Sequence, residues 1–156
     1  MSDNRKQVQF RNLKNYDEKI IIDLILKHYR ETLPNFNEDE NFRKDYCKAL
    51  FSNNDLNVII IESENETIGF LLYKNQKHSI YNRNDIIIRE IYIIPENRKI
   101  NIASDCVKHI IDLAGKEKID NIYVELLFDD HRAKKFWTRN KFFPFQQRFK
   151  YLSDKS

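Results

Sequence analysis

The strongest constraint on how this chain folds is a change of period. Residues 86–95 read IIIREIYIIP, apolar at almost every position. A run like that belongs to a strand covered on both faces, in the middle of a sheet. From Ile102 the pattern changes. Ile102, Ala103, Cys106, Val107, Ile110, Ile111 and Ala114 recur at intervals of three and four, one apolar stripe along a helix. Between them runs a short polar loop with two adjacent cations, Arg98 and Lys99. A helix N-terminus offers unpaired backbone N–H groups and a partial positive charge, so this strand–loop–helix turn is laid out for an anion such as phosphate or pyrophosphate.

The remaining segments fit a mixed α/β order. Residues 8–10 suggest a short first strand, and residues 17–29 carry apolar side chains at close to helical period before Pro34 interrupts. An acidic stretch at 37–41 starts a second helix that runs towards Phe51. NVIIIES (57–63) and IGFLLYKN (68–75) read as two strands joined by the polar turn ENET, which predicts a hairpin. Gly115 is placed to stop the helix that begins at Ile102. IYVELLF (122–128) predicts another strand, and residues 129–141 a helix with Asp129 or Asp130 as its N-cap. Residues 142–152 predict extended aromatic-rich segments around Pro144.

At 156 residues the chain is expected to form one domain, residues 1–156. Its apolar runs are far too short to cross a bilayer, and the N-terminal MSDNRKQVQF has no apolar signal core, so a cytoplasmic protein is expected. The net charge of +3 suits a solvated basic surface. Only residues 132–151 mix cations with aromatics, and those aromatics fit helix-core and strand positions, which disfavours nucleic acid as a partner. Cys47 and Cys106 stand alone, and no two of the four histidines share the spacing of a helical metal site, so no metal is expected.

Two glycines in the whole chain exclude the familiar phosphate loops. A Walker loop needs two glycines and a Gly-Lys-Ser/Thr ending, and a dinucleotide fingerprint needs three. Ile, Lys, Asn, Tyr and Phe, all with AT-rich codons, are abundant. Codon bias of that kind replaces glycines that structure merely prefers, and removes less easily those that a positive φ requires.

With these residues in place, the chain resembles the GNAT superfamily of acetyl-CoA-dependent N-acetyltransferases. The family strand L-Y-V-x-P is matched by Ile91-Tyr92-Ile93-Ile94-Pro95, and the loop R/Q-x-x-G-x-G/A by Arg98-Lys99-Ile100-Asn101-Ile102-Ala103. Asn101 stands where the family has glycine. A second motif, N-x-x-A-x-x-F/L-Y-x-x-x-G-F, falls on Asp130, Ala133, Phe136, Trp137, Lys141 and Phe142, with Asp for Asn, Trp for Tyr and Lys for Gly. The resemblance implies the GNAT acyl-CoA N-acyltransferase fold, an α/β (α+β) domain with a mixed central sheet of six to seven strands and about four helices.

It also implies a site. Ile91 and Ile93 would line the pantetheine arm of acetyl-CoA in a splay between strands, with the Ile93 N–H on the thioester carbonyl. The N–H groups of Arg98, Lys99, Ile100, Asn101, Ile102, Ala103 and Ser104 would cradle the pyrophosphate, and Asp130, Ala133 and Trp137 would complete the cofactor side. If position 101 needs a positive φ, Asn costs roughly 1 kcal/mol; if it needs close approach, the side chain obstructs. Amine acetylation needs a base, for which Glu90 is the first candidate and Glu125 the second. The family's thiol-protonating tyrosine maps to Trp137, whose indole cannot give up its proton, with Tyr123 and Tyr151 as substitutes. Asp17, Glu18, Glu31, Glu38, Asp39 and Glu40 either attract a cationic acceptor or solubilise the surface. The expected activity is transfer of acetyl from acetyl-CoA to a primary amine of a small molecule or protein, in a monomer or a homodimer. The alternative is a catalytically degenerate GNAT-fold binding or regulatory protein.

Overall fold

A computed structural model describes residues 7–98 and 101–153; Lys99 and Ile100, two of the loop residues above, lie outside the described residues. The chain divides into two compact units, residues 1–125 and 126–156. No helix among the described residues is long and apolar enough to cross a membrane.

The first unit contains β1 (Val8–Asn12), α1 (Glu18–Thr32), α2 (Glu40–Ser52), β2 (Leu56–Ser63), β3 (Glu66–Lys77), β4 (Asn84–Ile93), α3 (Ile102–Lys116) and β5 (Asn121–Val124). The strands lie in the order β1-β2-β3-β4-β5. The first four pair antiparallel, and β5 pairs parallel to β4 after the α3 crossover. Parallel neighbours need such a crossover, which is why the period changes from strand to helix after residue 95.

The pleat sorts the apolar runs to two faces. Val58, Ile60, Phe70, Leu72 and Tyr92 pack with Ile21, Leu24, Ile25, Leu26 and Leu50 of α1 and α2. Ile59, Ile61, Leu71, Ile86 and Ile88 are also buried, and α3 packs on β4 with Ile102, Cys106, Val107, Ile110 and Ala114 buried. Each fully buried aliphatic side chain contributes about 1.5–3 kcal/mol by leaving water.

One partly buried ionic knot ties three elements together. The Arg11 guanidinium on β1 donates to both carboxylate oxygens of Asp17 (2.7 and 2.9 Å) and to Glu62 on β2 (2.7 Å). The Lys14 N–H donates to the same Asp17 carboxylate at 2.8 Å, just before α1 begins. Asp17 is only 2% exposed, so it belongs neither to an acceptor surface nor to a solubilising one. Glu38 and Asp39 are likewise engaged, Glu38 with Arg30 and Arg43, Asp39 as the N-cap of α2 accepting from the Phe42 N–H.

Glycine use differs from expectation. The β2–β3 hairpin turns on Glu64 (φ 52°) and Asn65 (φ 65°), both left-handed as a two-residue type I′ turn requires. α3 does not stop at Gly115; it runs to Lys116, and Lys118 (φ 55°) takes the left-handed position after it. Lys141 (φ 67°) does the same after the last helix, at a position where the resemblance expects glycine. Gly69 is needed for another reason: a Cβ there would lie 2.1 Å from the carbonyl oxygen of Tyr92.

Among the described residues the sheet has five strands rather than six or seven. β5 ends at Val124 instead of 128, because its partner β4 turns away there. Residues 142–152 form no strand, and Pro144 withholds one ladder donor in their midst. The second unit holds α4 (His131–Arg139), capped by the Asp130 carboxylate, which accepts from the Ala133 N–H at 2.9 Å. The Trp137 ring meets Phe136 and Phe142 edge-on at 5.1 and 4.9 Å between centroids.

Two glycine substitutions should move stability in opposite directions. Gly115→Ala, in the last turn of α3 with nothing within 4 Å of the added methyl, should gain up to about 0.5 kcal/mol in urea unfolding. Gly69→Ala should lose about 3 kcal/mol, because the clash is with backbone. The third test uses pH. Hydrogen bonds from Arg11 hold the Asp17 carboxyl below its usual 3.8, outweighing burial. Asp17→Asn should therefore cost about 2 kcal/mol at neutral pH. That difference should shrink as pH falls below about 3.8 and through the folded-state value, because a depressed carboxyl contributes stability only while ionised.

Candidate active site

The site begins with a β-bulge. In the β3–β4 ladder Leu72 faces Glu90 and Tyr73 faces Ile88, which leaves Arg89 as one extra residue in β4. A bulge bends its strand and increases local twist. The β4–β5 ladder ends at the same place, at Ile88 and Val124, whereas β4 continues to Ile93. The Ile94 N–H donates to the Ile68 carbonyl at 2.9 Å. By antiparallel alternation the backbone groups of Glu90 and Tyr92 face β3, and those of Ile91 and Ile93 face the opposite edge. Among the described residues no strand covers that edge.

The same alternation sends the side chains of Glu90 and Tyr92 towards α1 and α2. The Tyr29 hydroxyl donates to Glu90 Oε1 at 2.9 Å, and the Tyr46 hydroxyl lies 3.3 Å from Glu90 Oε2 and 3.1 Å from the Tyr29 hydroxyl. Burial pushes the Tyr29 hydroxyl up to about 12, and burial raises Tyr46 as well, so both keep their protons at neutral pH. Two residues along each element, the Tyr92 hydroxyl donates to Glu31 Oε1 at 2.9 Å, and Arg98 Nη2 donates to Glu31 Oε2 at 2.6 Å. Burial alone would raise the Glu31 carboxyl, but the hydrogen bonds from Arg98 and Tyr92 hold it below its usual range. Glu31 is thus tied into the site and is not a solubilising charge.

Arg98 conforms to the loop motif, and its guanidinium turns back onto β4. Its Nε donates to the Ile93 carbonyl at 2.7 Å, and its charge lies 5.4 Å from the centre of the Tyr92 ring. The Arg98 N–H is used within the turn, donating to the Pro95 carbonyl. Asn101 is the N-cap of α3 at φ −59°, so the glycine motif position is not left-handed here, and its side chain makes no cap hydrogen bond. The first amide to bond back into the helix is that of Asp105. The amides of Ile102, Ala103 and Ser104 have no acceptor among the described residues, the state in which a helix N-terminus binds an anion.

Glu90, Ile91, Ile93, Arg98 and Ile102–104 therefore come together around β4 and the start of α3. Glu125 lies one residue beyond β5, about half exposed, with its carboxylate 3.9 Å from Arg89 Nη1. Tyr123 is on β5. Asp130, Ala133, Trp137 and Tyr151 belong to the second unit. Three site residues escaped the sequence reading: His28, Tyr29 and Tyr46. Tyr29 sat at helical period and read as core. The usable signal was Glu90 itself, since a carboxylate inside an apolar strand needs partners.

His28 gives this face a measurable signature. Its ring lies 5.3 Å from Tyr92 and 6.2 Å from Phe70, and burial lowers its pKa below 6.5 against the pull of Glu90 and Glu31. Histidine NMR titration should place its midpoint below 6.5. A base whose folded value is depressed binds fewer protons than the unfolded chain, so its contribution should erode as pH falls below 6.5.

The family model for the acetyltransferase (GNAT) family matches residues 22–142, well over half the chain. No curated protein matches the sequence significantly. Among solved structures, a possible acetyltransferase from Clostridium difficile 630 is 15% identical, with a TM-score of 0.82 over 94% of this chain and 97% of that one. An aminoglycoside acetyltransferase from an uncultured soil metagenomic sample, in complex with sisomicin, is 16% identical, with a TM-score of 0.76 over 94% and 95%. An aminoglycoside N-acetyltransferase in complex with CoA is 10% identical, with a TM-score of 0.76 over 99% of both chains. At these identities the structures establish a common fold. With the family model spanning both sequence motifs, the chain belongs to the acetyltransferase (GNAT) family.

Proposed function

We propose that this chain is an N-acetyltransferase that moves the acetyl group of acetyl-CoA to a primary amine by direct attack. The observation that carries this reading is the outrun of β4. Past Ile88 the strand offers the Ile91 and Ile93 amides on an open edge, directly beside a carboxylate, Glu90, that is held by two hydroxyls. On that edge the Ile93 N–H serves as donor to the thioester carbonyl, stabilising the negative charge that develops on its oxygen. The free amides at the start of α3 hold the pyrophosphate, with Lys99 and Ile100 completing the loop. Asp130, Ala133 and Trp137 belong to the cofactor side by their place in the second motif. The acetyltransferase solved with CoA and the one solved with sisomicin support acetyl-CoA as donor and an amine as acceptor.

The step balances without a covalent enzyme intermediate. The neutral amine nitrogen attacks the thioester carbonyl carbon, and a C–N bond forms as the C–S bond breaks. The sulfur leaves with the electron pair, and the surplus proton on nitrogen passes to Glu90. Tyr29 and Tyr46 orient that carboxylate and do not compete as bases, since burial keeps their protons in place. A thiolate is a good leaving group, so the indole at position 137 is compatible with turnover. Glu125 is the second base candidate, and its position 3.9 Å from Arg89 favours Glu90 over it.

A second reading, acetyl-CoA binding without turnover, is favoured by Trp137, packed between Phe136 and Phe142 where the motif has tyrosine. Titration calorimetry with acetyl-CoA and thiol detection of released CoA over a panel of amines separate the two. Saturable binding with amine-dependent release is expected. Binding without release supports the second reading, and absence of binding overturns both. Glu90→Gln should lower kcat about 100-fold while leaving acetyl-CoA affinity in place, because backbone amides, and not this side chain, hold the cosubstrate.

A further inference from the structure

Beside Glu90 opens a cleft of about 340 Å³, walled by Leu50, Leu56 and Leu72 and by the two tyrosines. Three charged side chains line it: Lys74, Arg89 and Glu90. Glu90 already has its two hydroxyl partners. The cations are different. Arg11, Arg30 and Arg98 each have a carboxylate oxygen within 2.7 Å, and Arg43 is paired as closely. Arg89 has its nearest carboxylate at 3.9 Å, and Lys74 has no ion-pair partner among the described residues. A cleft that presents one loosely paired cation, one cation with no ion-pair partner among the described residues, and one satisfied carboxylate is complementary to a molecule with an anion at one end and an amine at the other.

We infer that the acceptor is a small amine bearing an anionic group, bound with its nitrogen at Glu90 and its carboxylate or phosphate at Lys74 and Arg89. This rests on the transferase reading above. The volume is that of about ten waters, which fits a compact zwitterion. A polycationic amine would bring surplus ammonium groups against Lys74 and Arg89. These cations do not serve the pyrophosphate of the cosubstrate. Lys74 pairs with Ile87 and Arg89 is the bulge, whereas the free amides lie past Ile93 at the start of α3. At about 3.3 Å per residue, the segment from the bulge to the end of β4 separates the two by more than 10 Å.

The test compares matched acceptors in the CoA-release assay: β-alanine with β-alaninamide, phosphoethanolamine with ethanolamine, and spermidine as polycation, at equal concentrations of neutral amine. The anionic member of a pair should be preferred about tenfold or more in kcat/KM, chiefly through KM. Lys74→Gln with Arg89→Gln should bring that ratio close to one, and added salt should compress it in the unaltered protein. The carboxylate and phosphate pairs identify which anion is read. A ratio near one, a preference for spermidine, or a ratio that survives both substitutions overturns the inference while leaving the transferase intact. If no amine releases CoA, the inference falls together with the proposed function, and acetyl-CoA calorimetry shows whether binding survives. Both side chains are at least partly exposed, so the variants should fold, and a thermal melt checks this.

Discussion

A single extra residue in β4 organises the rest. With Arg89 bulged, the ladder with β5 stops at Ile88, and four further residues, Glu90 to Ile93, continue paired on the β3 side only. An edge left open in the middle of a sheet is ordinarily a liability, since unpaired amides and carbonyls there invite another strand. Here two features guard it. Arg98 folds back to satisfy the Ile93 carbonyl, and its charge sits on the Tyr92 ring and against Glu31. What remains on that edge is mostly donor capacity, which suits a carbonyl-bearing ligand better than a strand.

The scarcity of glycine shows which backbone demands are strict. Four residues with positive φ, Glu64, Asn65, Lys118 and Lys141, all carry side chains, and no glycine among the described residues has one. Left-handed geometry costs a non-glycine residue only about 1 kcal/mol, which a folded domain absorbs. A Cβ placed 2.1 Å from a backbone oxygen has no comparable escape, and Gly69, opposite Ile93, is kept. Steric need outranked conformational need, the reverse of what a positive-φ argument leads one to expect. Asn101 fits the same ranking: at φ −59° it carries no left-handed penalty, so its side chain bears on the ligand space alone.

Legibility followed period. α3 and the central strands were readable because burial on one or two faces writes a repeat into the sequence, and their ends were recovered within a few residues. Glu90 was singled out by its place on the strand just before the segment that the resemblance assigns to the cosubstrate. The end of β5 was not readable, since a ladder that stops at Val124 is decided by the bulge in its partner and not by its own ELLF. Nor were the roles of Asp17 and Glu31. Both look like surface acids in the sequence; one is buried under Arg11, and the other joins Tyr92 to Arg98. The partners of Glu31 lie more than sixty residues away, and Tyr29 and Tyr46 lie 61 and 44 residues from Glu90, distances that leave no local trace. Arg11 is only six residues from Asp17, but spacing alone does not say that the turn between them buries the carboxylate.

The geometry of one strand also explains why a functional segment can look like plain core. In a pleated strand the side chains stand above and below the sheet, while amides and carbonyls point sideways. Ile91 and Ile93 direct their side chains away from the α1 face that Glu90 and Tyr92 occupy, and their N–H groups to the open edge. Under the proposed function, three tasks run along three directions from four consecutive residues: packing by the isoleucines, proton handling by Glu90, and cosubstrate pairing by backbone. No side chain has to compromise. Substitution among β-branched residues at 91 and 93 leaves the amides where they are, so the chemistry constrains position more than identity. The same division suits a fold shared at 10–16% identity with the structures it matches, since backbone position and not side-chain identity is what such a strand has to supply.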